Sequence, residues 1–195
     1  MAVQIIDTNY QALWDSMKIN DGWEPKVIAA AKKIIAGKAF YEKVAEQVNK
    51  AMRWEIVGVI HMMESSCSFA KHLHNGDTLL QRTTRKPIGY PKADPINGKG
   101  KPFTWLESAV DALKLHHFDE YSQFTLPMIL YRLEKYNGFG YNYKKINTPY
   151  LWSGTNHYTK GKYVADGKFD YEAVSSQIGA ALLFRYTTDK TLGLV

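Results

Sequence analysis

The feature that most constrains the fold is a stretch in the middle of the chain that cannot form a long helix. Between residues 66 and 102 the sequence is interrupted repeatedly by glycine and proline. The interrupting residues are Gly76, Pro87, Gly89, Pro91, Pro95 and Gly98. Proline removes a helical N–H and clashes with the preceding turn, whereas glycine favours turns. The segment therefore predicts short strands and loops.

Helical patterns flank this segment on both sides. Apolar spacing predicts helices over residues 8–18, 25–36, 38–49 and 54–65 before it, and over 104–116, 123–136 and 171–186 after it. Thr8 and Asp21 are candidate N-caps, and Thr104 with Glu107 has the spacing of a capping box. A second loop region, residues 135–167, is rich in tyrosine, asparagine and glycine.

The chain as a whole predicts one domain. Its 195 residues and 45% apolar content are sufficient for an independent core, and we find no internal repeat or linker. Two sets of helices around an irregular segment favour a mainly helical α+β fold over residues 1–195. We expect a small β-hairpin or loop lobe that flanks a substrate cleft.

The formal net charge of +6 favours a polyanionic partner, such as nucleic acid, a membrane surface or an anionic cell wall. Lysine and arginine are scattered along the chain, without zinc-finger spacing or an RNA-binding aromatic signature. A wall or another acidic surface therefore fits better than a specific nucleic-acid site, although charge alone leaves a nucleic-acid-binding module open.

The N-terminal sequence lacks a basic segment followed by an apolar run, and no apolar stretch is long enough to span a bilayer. We therefore expect neither a secretory signal nor a membrane anchor. The single cysteine, Cys67, fits a small buried residue in a protein made in a reducing compartment. We expect a monomer.

Glu64 is the candidate for acid chemistry. Val57, Ile60, His61 and Glu64 have the spacing of one helix face, so a carboxyl group ends an apolar face. Burial beside apolar groups raises a carboxyl pKa and keeps the group protonated, as glycoside hydrolysis requires. The alternative is a solvated charge at a helix end.

Asp77 and Thr83 are candidates for holding water opposite such an acid, as inverting glycosidases require. Asp77 lies in the turn sequence His74-Asn75-Gly76-Asp77, from which a loop can present a carboxylate. The Thr83 hydroxyl follows six residues later. The alternative is that Asp77 only stabilises its own turn.

The order of Glu64, Asp77 and Thr83 resembles the catalytic Glu-Asp-Thr arrangement of phage-type lysozymes. Glu64-Ser65 and the sequence from Lys135 through Tyr136 and Asn137 to Gly138 resemble motifs of goose-type lysozymes and lytic transglycosylases. Residues 61–83, with residues 151–167 downstream, are similar to a group of phage and prophage lysozyme-like proteins. The resemblance implies a lysozyme-like fold, with Glu64 as the acid.

Further substrate contacts are expected around this acid and in the aromatic loop. Beside Glu64 the candidates are His61, Ser65 and Asn75. Aromatic faces stack on sugar rings, while amide and hydroxyl groups bond to sugar hydroxyls and acetamides. The loop candidates are Tyr136, Asn137, Tyr141, Tyr150 and Trp152. The alternative is that several of these aromatic residues pack the core.

A metal site is the competing interpretation of the histidines. His61, Glu64, His72 and His74 are metal-ligand types, but His61-x-x-Glu64 is not the zinc-protease pattern and the chain has no cysteine cluster. We therefore predict neither metal nor cofactor.

These observations predict a muramidase that cleaves between N-acetylmuramic acid and N-acetylglucosamine in bacterial peptidoglycan. A lytic transglycosylase with Glu64 as sole acid and base, and a chitinase-like enzyme, remain alternatives. A non-catalytic wall-binding or virion structural protein is an alternative of another class. Such an enzyme, made in the cytoplasm of a bacterial host, would act after release or be carried on the virion.

Overall fold

A computed structural model describes residues 9–189, 191, 193 and 194. Within them the α-helices are α1 Asn9–Asp15, α2 Glu24–Ala36, α3 Lys38–Val48, α4 Trp54–Ser65, α5 Trp105–Leu115, α6 Leu126–Asn137, α7 Pro149–Trp152 and α8 Ala180–Thr188. Strands β1 Lys162–Ala165 and β2 Lys168–Asp170 form one antiparallel sheet. Short 3-10 helices cover Phe118–Glu120 and Asn142–Lys144. The mainly helical α+β class is confirmed.

The predicted helix positions agree closely with the structure except near the C-terminus. The capping box that begins α5 is present: Thr104 accepts from the Glu107 N–H while the Glu107 carboxylate accepts from the Thr104 N–H. The predicted last helix, residues 171–186, is wrong at its start, because α8 begins only at Ala180. Asp170 accepts hydrogen bonds from two following backbone N–H groups and holds a turn there instead. The predicted cap Thr8 lies outside the described residues.

Of the two forms predicted for the lobe at residues 66–102, a loop or a β-hairpin, the structure shows the loop. Residues 66–102 contain no helix, as expected, but their only described pairing is a single bridge between Lys71 and Thr78. The two-stranded sheet lies instead at β1 and β2, where Tyr163 pairs with Phe169 across a turn containing Gly167. An Asp-Gly pair between short alternating segments is a typical hairpin signal.

The described chain divides into two compact units. The terminal unit comprises the described residues of 1–31 and 125–195, and the central unit comprises residues 32–124. The division falls within α2. In the terminal unit α6 contacts α1 and α7, and α7 contacts α8; in the central unit α3 contacts α4 and α5.

Helix α4 is the most buried helix of the central unit. Its apolar residues are buried around most of its circumference, as expected of a helix without a polar face. Gly58 permits this packing, since a Cβ there would lie 2.4 Å from Cγ2 of Ile34 and 3.0 Å from the Tyr41 ring. No helix among the described residues combines the length and the apolar character that crossing a membrane requires.

Candidate functional site

Glu64 lies in the last turn of α4, where the chain leaves the helix sharply. Ser66 adopts the left-handed conformation, and its N–H donates to the Met62 carbonyl oxygen at 3.1 Å. The Cys67 N–H donates to the His61 carbonyl oxygen at 3.2 Å, so the carbonyl groups of His61 and Met62 are satisfied. Glu64 is half-buried and Ser65 is buried beside it.

A tight turn over residues 72–77 lies against the backbone of Glu64. The His72 N–H donates to the Asp77 carbonyl oxygen at 2.6 Å, and the Gly76 N–H donates to the His72 carbonyl oxygen at 2.9 Å. Gly76 has a φ of 75°, and a Cβ there would lie 2.7 Å from the Glu64 carbonyl oxygen. Only glycine adopts this positive φ without strain and also lacks the Cβ for which there is no space. The turn thereby brings predicted residues Asn75 and Asp77 to the end of α4.

The Asp77 carboxylate is surrounded by hydrogen-bond donors. Its Oδ2 accepts from the backbone N–H groups of Thr84 at 2.8 Å and Arg85 at 3.1 Å, and its Oδ1 accepts from Arg85 Nε at 2.6 Å. Partial burial by itself raises the pKa of Asp77, but the donors of Arg85 and Thr84 outweigh it and hold this pKa well below its usual range. Asp77 is therefore ionised and fixes the following loop.

Asn75 and Thr83 belong to the same network. The Asn75 amide donates to the carbonyl oxygens of Arg85 at 2.9 Å and Lys86 at 3.2 Å. Thr83 is buried, and its hydroxyl donates to the Pro87 carbonyl oxygen and accepts from the Tyr90 N–H at 2.9 Å. The structure thus brings the three predicted residues Asn75, Asp77 and Thr83 together, with the Thr83 hydroxyl engaged inside its own loop.

A buried chain of hydrogen bonds through His72, Ser108, His74 and Asp111, which we call the relay, connects this turn to α5. His72 Nε2 lies 2.8 Å from the Gln81 carbonyl oxygen, and its Nδ1 lies 2.8 Å from the Ser108 hydroxyl. The same hydroxyl accepts from the Leu73 N–H at 3.2 Å and lies 3.4 Å from Nδ1 of His74. His74 Nε2 lies 2.9 Å from the Asp111 carboxylate. Two histidines of the turn are therefore held by a serine and an aspartate one helical turn apart.

The relay fixes the tautomer of His72. A carbonyl oxygen only accepts, so the proton of the neutral ring is on Nε2 and the Ser108 hydroxyl donates to Nδ1. Burial lowers the pKa of His72 and maintains this neutral form. The serine is fully buried, so it serves as a structural connector rather than a nucleophile.

His61 lies one turn before Glu64 inside an aromatic cage. The ring centroids of Trp105, Phe69 and Tyr41 are 4.5, 4.8 and 5.7 Å from that of His61. Its Nδ1 lies 3.0 Å from the Tyr41 hydroxyl. Burial lowers the pKa of His61 to about 4, with the Ser68 backbone opposing the shift only in part. His61 is therefore a neutral support for the end of α4.

Three of the predicted sugar contacts meet in the terminal unit. Asn137 at the end of α6, Tyr141 and Tyr150 line a polar pocket of about 250 Å³ together with Lys162 and Tyr163. Tyr141 and Tyr150 are also largely buried, so they serve both the core and the pocket wall. Amide, phenol and ammonium groups at one concave surface suit a ligand rich in hydroxyl groups.

Trp152 lies elsewhere in the same unit, in the wall of a larger pocket of about 650 Å³. Glu134 of α6 also lines this pocket, which we call the Glu134 pocket. Tyr136 is buried on α6 but lines neither of the two terminal-unit pockets. Glu64 lines neither of them, nor a third pocket formed by α3 and the start of α4.

Glu134 and the relay were missing from the sequence-based candidates, although signals for both were present. Glu134 follows Leu130 by four residues, which is the same placement on an apolar helix face that singled out Glu64. Ser108 and Asp111 are three residues apart and share a face of α5, but nothing local pairs them with the histidines.

The distribution of charge also differs from the scattered pattern expected. Residues 78–102 contain six lysine and arginine residues and one aspartate, so this loop carries +5 of the +6 net charge. Arg82 forms an ion pair with Asp94, and Arg85 forms one with Asp77. The remaining four are lysines of the central unit that are exposed to solvent.

Among the described residues no group of three or more histidine, cysteine, aspartate or glutamate side chains is arranged to hold a metal ion. No protein-family model, curated protein or solved structure matches the chain.

Proposed function

We propose that this chain cleaves the glycan strand of peptidoglycan between N-acetylmuramic acid and N-acetylglucosamine, on a lysozyme-like fold, with Glu64 as the general acid. The observation that carries the proposal is the position of Glu64. A half-buried carboxyl group ends the most apolar helix, and a polar turn packs directly on its backbone. The order of residues in the sequence supports the same assignment.

In the proposed reaction Glu64 protonates the oxygen that links the two sugars, so the leaving sugar departs as an alcohol. Positive charge then develops on the anomeric carbon of the muramic acid residue. The ionised Asp77 lies on the turn beside α4, where its charge is paired with Arg85 and holds the loop in place. The relay through His72 and Ser108 keeps the turn in place, which is a positioning role.

Two outcomes are compatible with this first step. In hydrolysis, water adds to the anomeric carbon, and Asp77 or Thr83 would orient it. In a lytic transglycosylase, the 6-hydroxyl of the same muramic acid residue adds instead, and Glu64 removes its proton. The second outcome is favoured by one observation: the Asp77 carboxylate and the Thr83 hydroxyl already bond to groups of their own loop.

Analysis of digested peptidoglycan distinguishes these reactions. Purified peptidoglycan is incubated with the protein, and the products are examined by mass spectrometry. A reducing muramic acid end identifies hydrolysis, a 1,6-anhydro end identifies transglycosylation, and intact glycan rejects both. Asp77→Asn is the matched variant, because it retains much of the shape but removes the charge. Hydrolysis through an oriented water should fall sharply in this variant, whereas a one-carboxyl reaction should fall much less.

A further inference from the structure

The Glu134 pocket has the composition of a small-molecule site. Its volume of about 650 Å³ lies in the range typical of such sites, roughly 300–1,000 Å³, and the terminal unit alone forms it. Its aromatic and apolar lining is Tyr10, Leu13, Tyr131, Phe139, Tyr143, Ile146 and Trp152. Its polar lining is Glu134, Asn142, Lys145, Asn147 and Thr148. A few polar groups among aromatic walls are what orient a bound ligand.

Glu134 is the most buried ionisable group in this lining, with 5% of its surface exposed. The Tyr10 hydroxyl donates to its Oε2 at 2.6 Å, and its Oε1 has no hydrogen-bond partner in the described part of the chain. Burial raises the pKa of Glu134, and the Tyr10 hydrogen bond opposes this shift only in part. A raised pKa widens the pH range in which the carboxyl group is neutral, and the neutral form can both donate and accept a hydrogen bond.

The rim of the pocket supplies a broad aromatic surface and amide groups. Tyr143 is 90% exposed, so its ring is accessible to a ligand. Deeper in the pocket the rings of Tyr131 and Phe139 lie 5.4 Å apart at an angle of 32°. The Asn147 amide uses one of its donors on the His157 carbonyl oxygen at 3.1 Å, which fixes its orientation.

The charges of the lining select among ligand classes. Lys145 opposes a cation, and Glu134 opposes an anion whenever it is ionised. A neutral ligand with one apolar face, several hydroxyl groups and an amide brings no charge that either group opposes, and it can bond to the polar groups of the lining. Aromatic faces accept the apolar side of a sugar ring, and asparagine amides match an acetamide group.

We propose that the Glu134 pocket binds an N-acetylated hexosamine unit of a glycan and thereby anchors the chain on its substrate. The choice of sugar rests on the proposed function, whereas the pocket and its lining do not. Binding here needs no contribution from Glu64. The site therefore acts as a holding point on the glycan strand, and cleavage is a separate step.

Calorimetric titration of the full chain with tetra-N-acetylchitotetraose tests this proposal. The protein carries Glu64→Gln throughout, so that the ligand is not consumed. Added to this background, Tyr143→Ala should raise Kd about tenfold, which is typical for truncating a tyrosine at a binding site. Tyr171→Ala is the matched control, because Tyr171 is an exposed tyrosine of the same unit outside this lining. Its Kd should be unchanged.

A second readout keeps the test independent of any one variant. The indole N–H resonance of Trp152, assigned with Trp152→Phe, should shift as the ligand is added, because Trp152 lines the pocket. Asn147→Ala, at an exposed position, should also weaken binding. Three results would each overturn the proposal. The sugar does not bind detectably, or Kd is unchanged in both Tyr143→Ala and Asn147→Ala. In the third, the pocket is saturated by choline, a cationic ligand, rather than by the sugar.

The failure of this proposal is distinguishable from failure of the proposed function. If peptidoglycan stays intact but chitotetraose binds in a Tyr143-dependent manner, the cleavage proposal fails and the binding site stands. If Glu64-dependent cleavage is found but the sugar does not bind the pocket, only the present proposal fails.

Discussion

Glu64 in the central unit and Glu134 in the terminal unit occupy similar positions in the sequence but different surroundings in space. Each follows a buried aliphatic residue by four positions on a helix, Ile60 for Glu64 and Leu130 for Glu134. Glu64 lies at a helix end beside a turn whose polar groups bond to one another. Glu134 lies within a helix, is held by one hydroxyl group, and lines the larger pocket.

The different surroundings of Glu64 and Glu134 suit two different roles for a carboxyl group. Around Glu64 many hydrogen bonds fix the backbone, which suits a group that must hold a reacting bond in a defined position. Around Glu134 few hydrogen bonds surround an aromatic cavity, which suits a group that binds and releases a ligand. Apolar helix placement is common to both, so it does not distinguish the two roles.

The largest expected effect is the loss of glycan cleavage in Glu64→Gln. The amide nearly preserves shape but cannot donate the acid proton, so the rate should fall by about 10²–10⁴-fold. Glu46→Gln, at an exposed position of α3 in the same unit, is the matched control and should retain cleavage. Glu134→Gln should lose only the contribution that anchoring on the substrate makes. The measurement is release of soluble fragments from purified peptidoglycan, with folding checked by circular dichroism. The reverse result, with activity lost only in Glu134→Gln, would transfer the acid role to Glu134.

The second prediction concerns stability below neutral pH. The pKa of His61 is about 4 in the folded protein, against an unfolded value near 6.5, so the unfolded chain binds more protons between these values. Stability contributed by neutral His61 is therefore full above about pH 6.5 and should fall by up to about 3 kcal/mol as the pH approaches 4.

Urea denaturation across this pH range measures the effect of His61. In His61→Phe the free energy of unfolding should depend less steeply on pH. Part of the dependence should remain, because burial also lowers the pKa of His72. Glu134 should act in the opposite sense, because its raised pKa means that stability is lost as pH rises above the unfolded value. A His61→Phe slope equal to that of the parent would contradict the assignment.

The third prediction tests the relay that exists only in the central unit. Ser108→Ala removes the hydroxyl group that donates to the His72 ring nitrogen and accepts from the Leu73 N–H, so the free energy of unfolding should fall by about 2–3 kcal/mol. Cleavage should fall with it, since the turn beside Glu64 loses its support. Ser122→Ala, at an exposed position of the same unit, is the control. Unchanged stability in Ser108→Ala would remove the relay from the description of the site.

The smallest expected effect concerns the basic loop. Lys99→Glu combined with Lys101→Glu should slow lysis of whole walls several-fold at low ionic strength and little at physiological ionic strength, because salt screens long-range attraction. Lys135→Glu with Lys168→Glu changes the net charge equally at exposed positions of the terminal unit. Equal losses in both pairs would show that net charge, rather than the loop, guides the protein to the wall.

The sequence by itself determined the parts of this protein that depend on near neighbours. Apolar periodicity placed α2 to α6, the spacing of Thr104 and Glu107 predicted a capping box, and glycine and proline predicted an irregular segment after Glu64. Each of these signals acts within a few residues, where backbone geometry and local hydrogen bonds decide the conformation. The delayed start of α8 shows the limit, since the Asp170 turn competed with an apolar pattern.

Tertiary structure alone decided which distant groups meet. Tyr10 and Glu134 are 124 residues apart, and His72 and Ser108 are 36 residues apart, yet each pair shares a buried hydrogen bond. Asn137 and Tyr150 share one pocket while Trp152 lines another, although all three lie in one aromatic region of the sequence. A hydrogen bond or a cavity wall requires positions in space, and these follow from the packing of helices rather than from residue spacing along the chain.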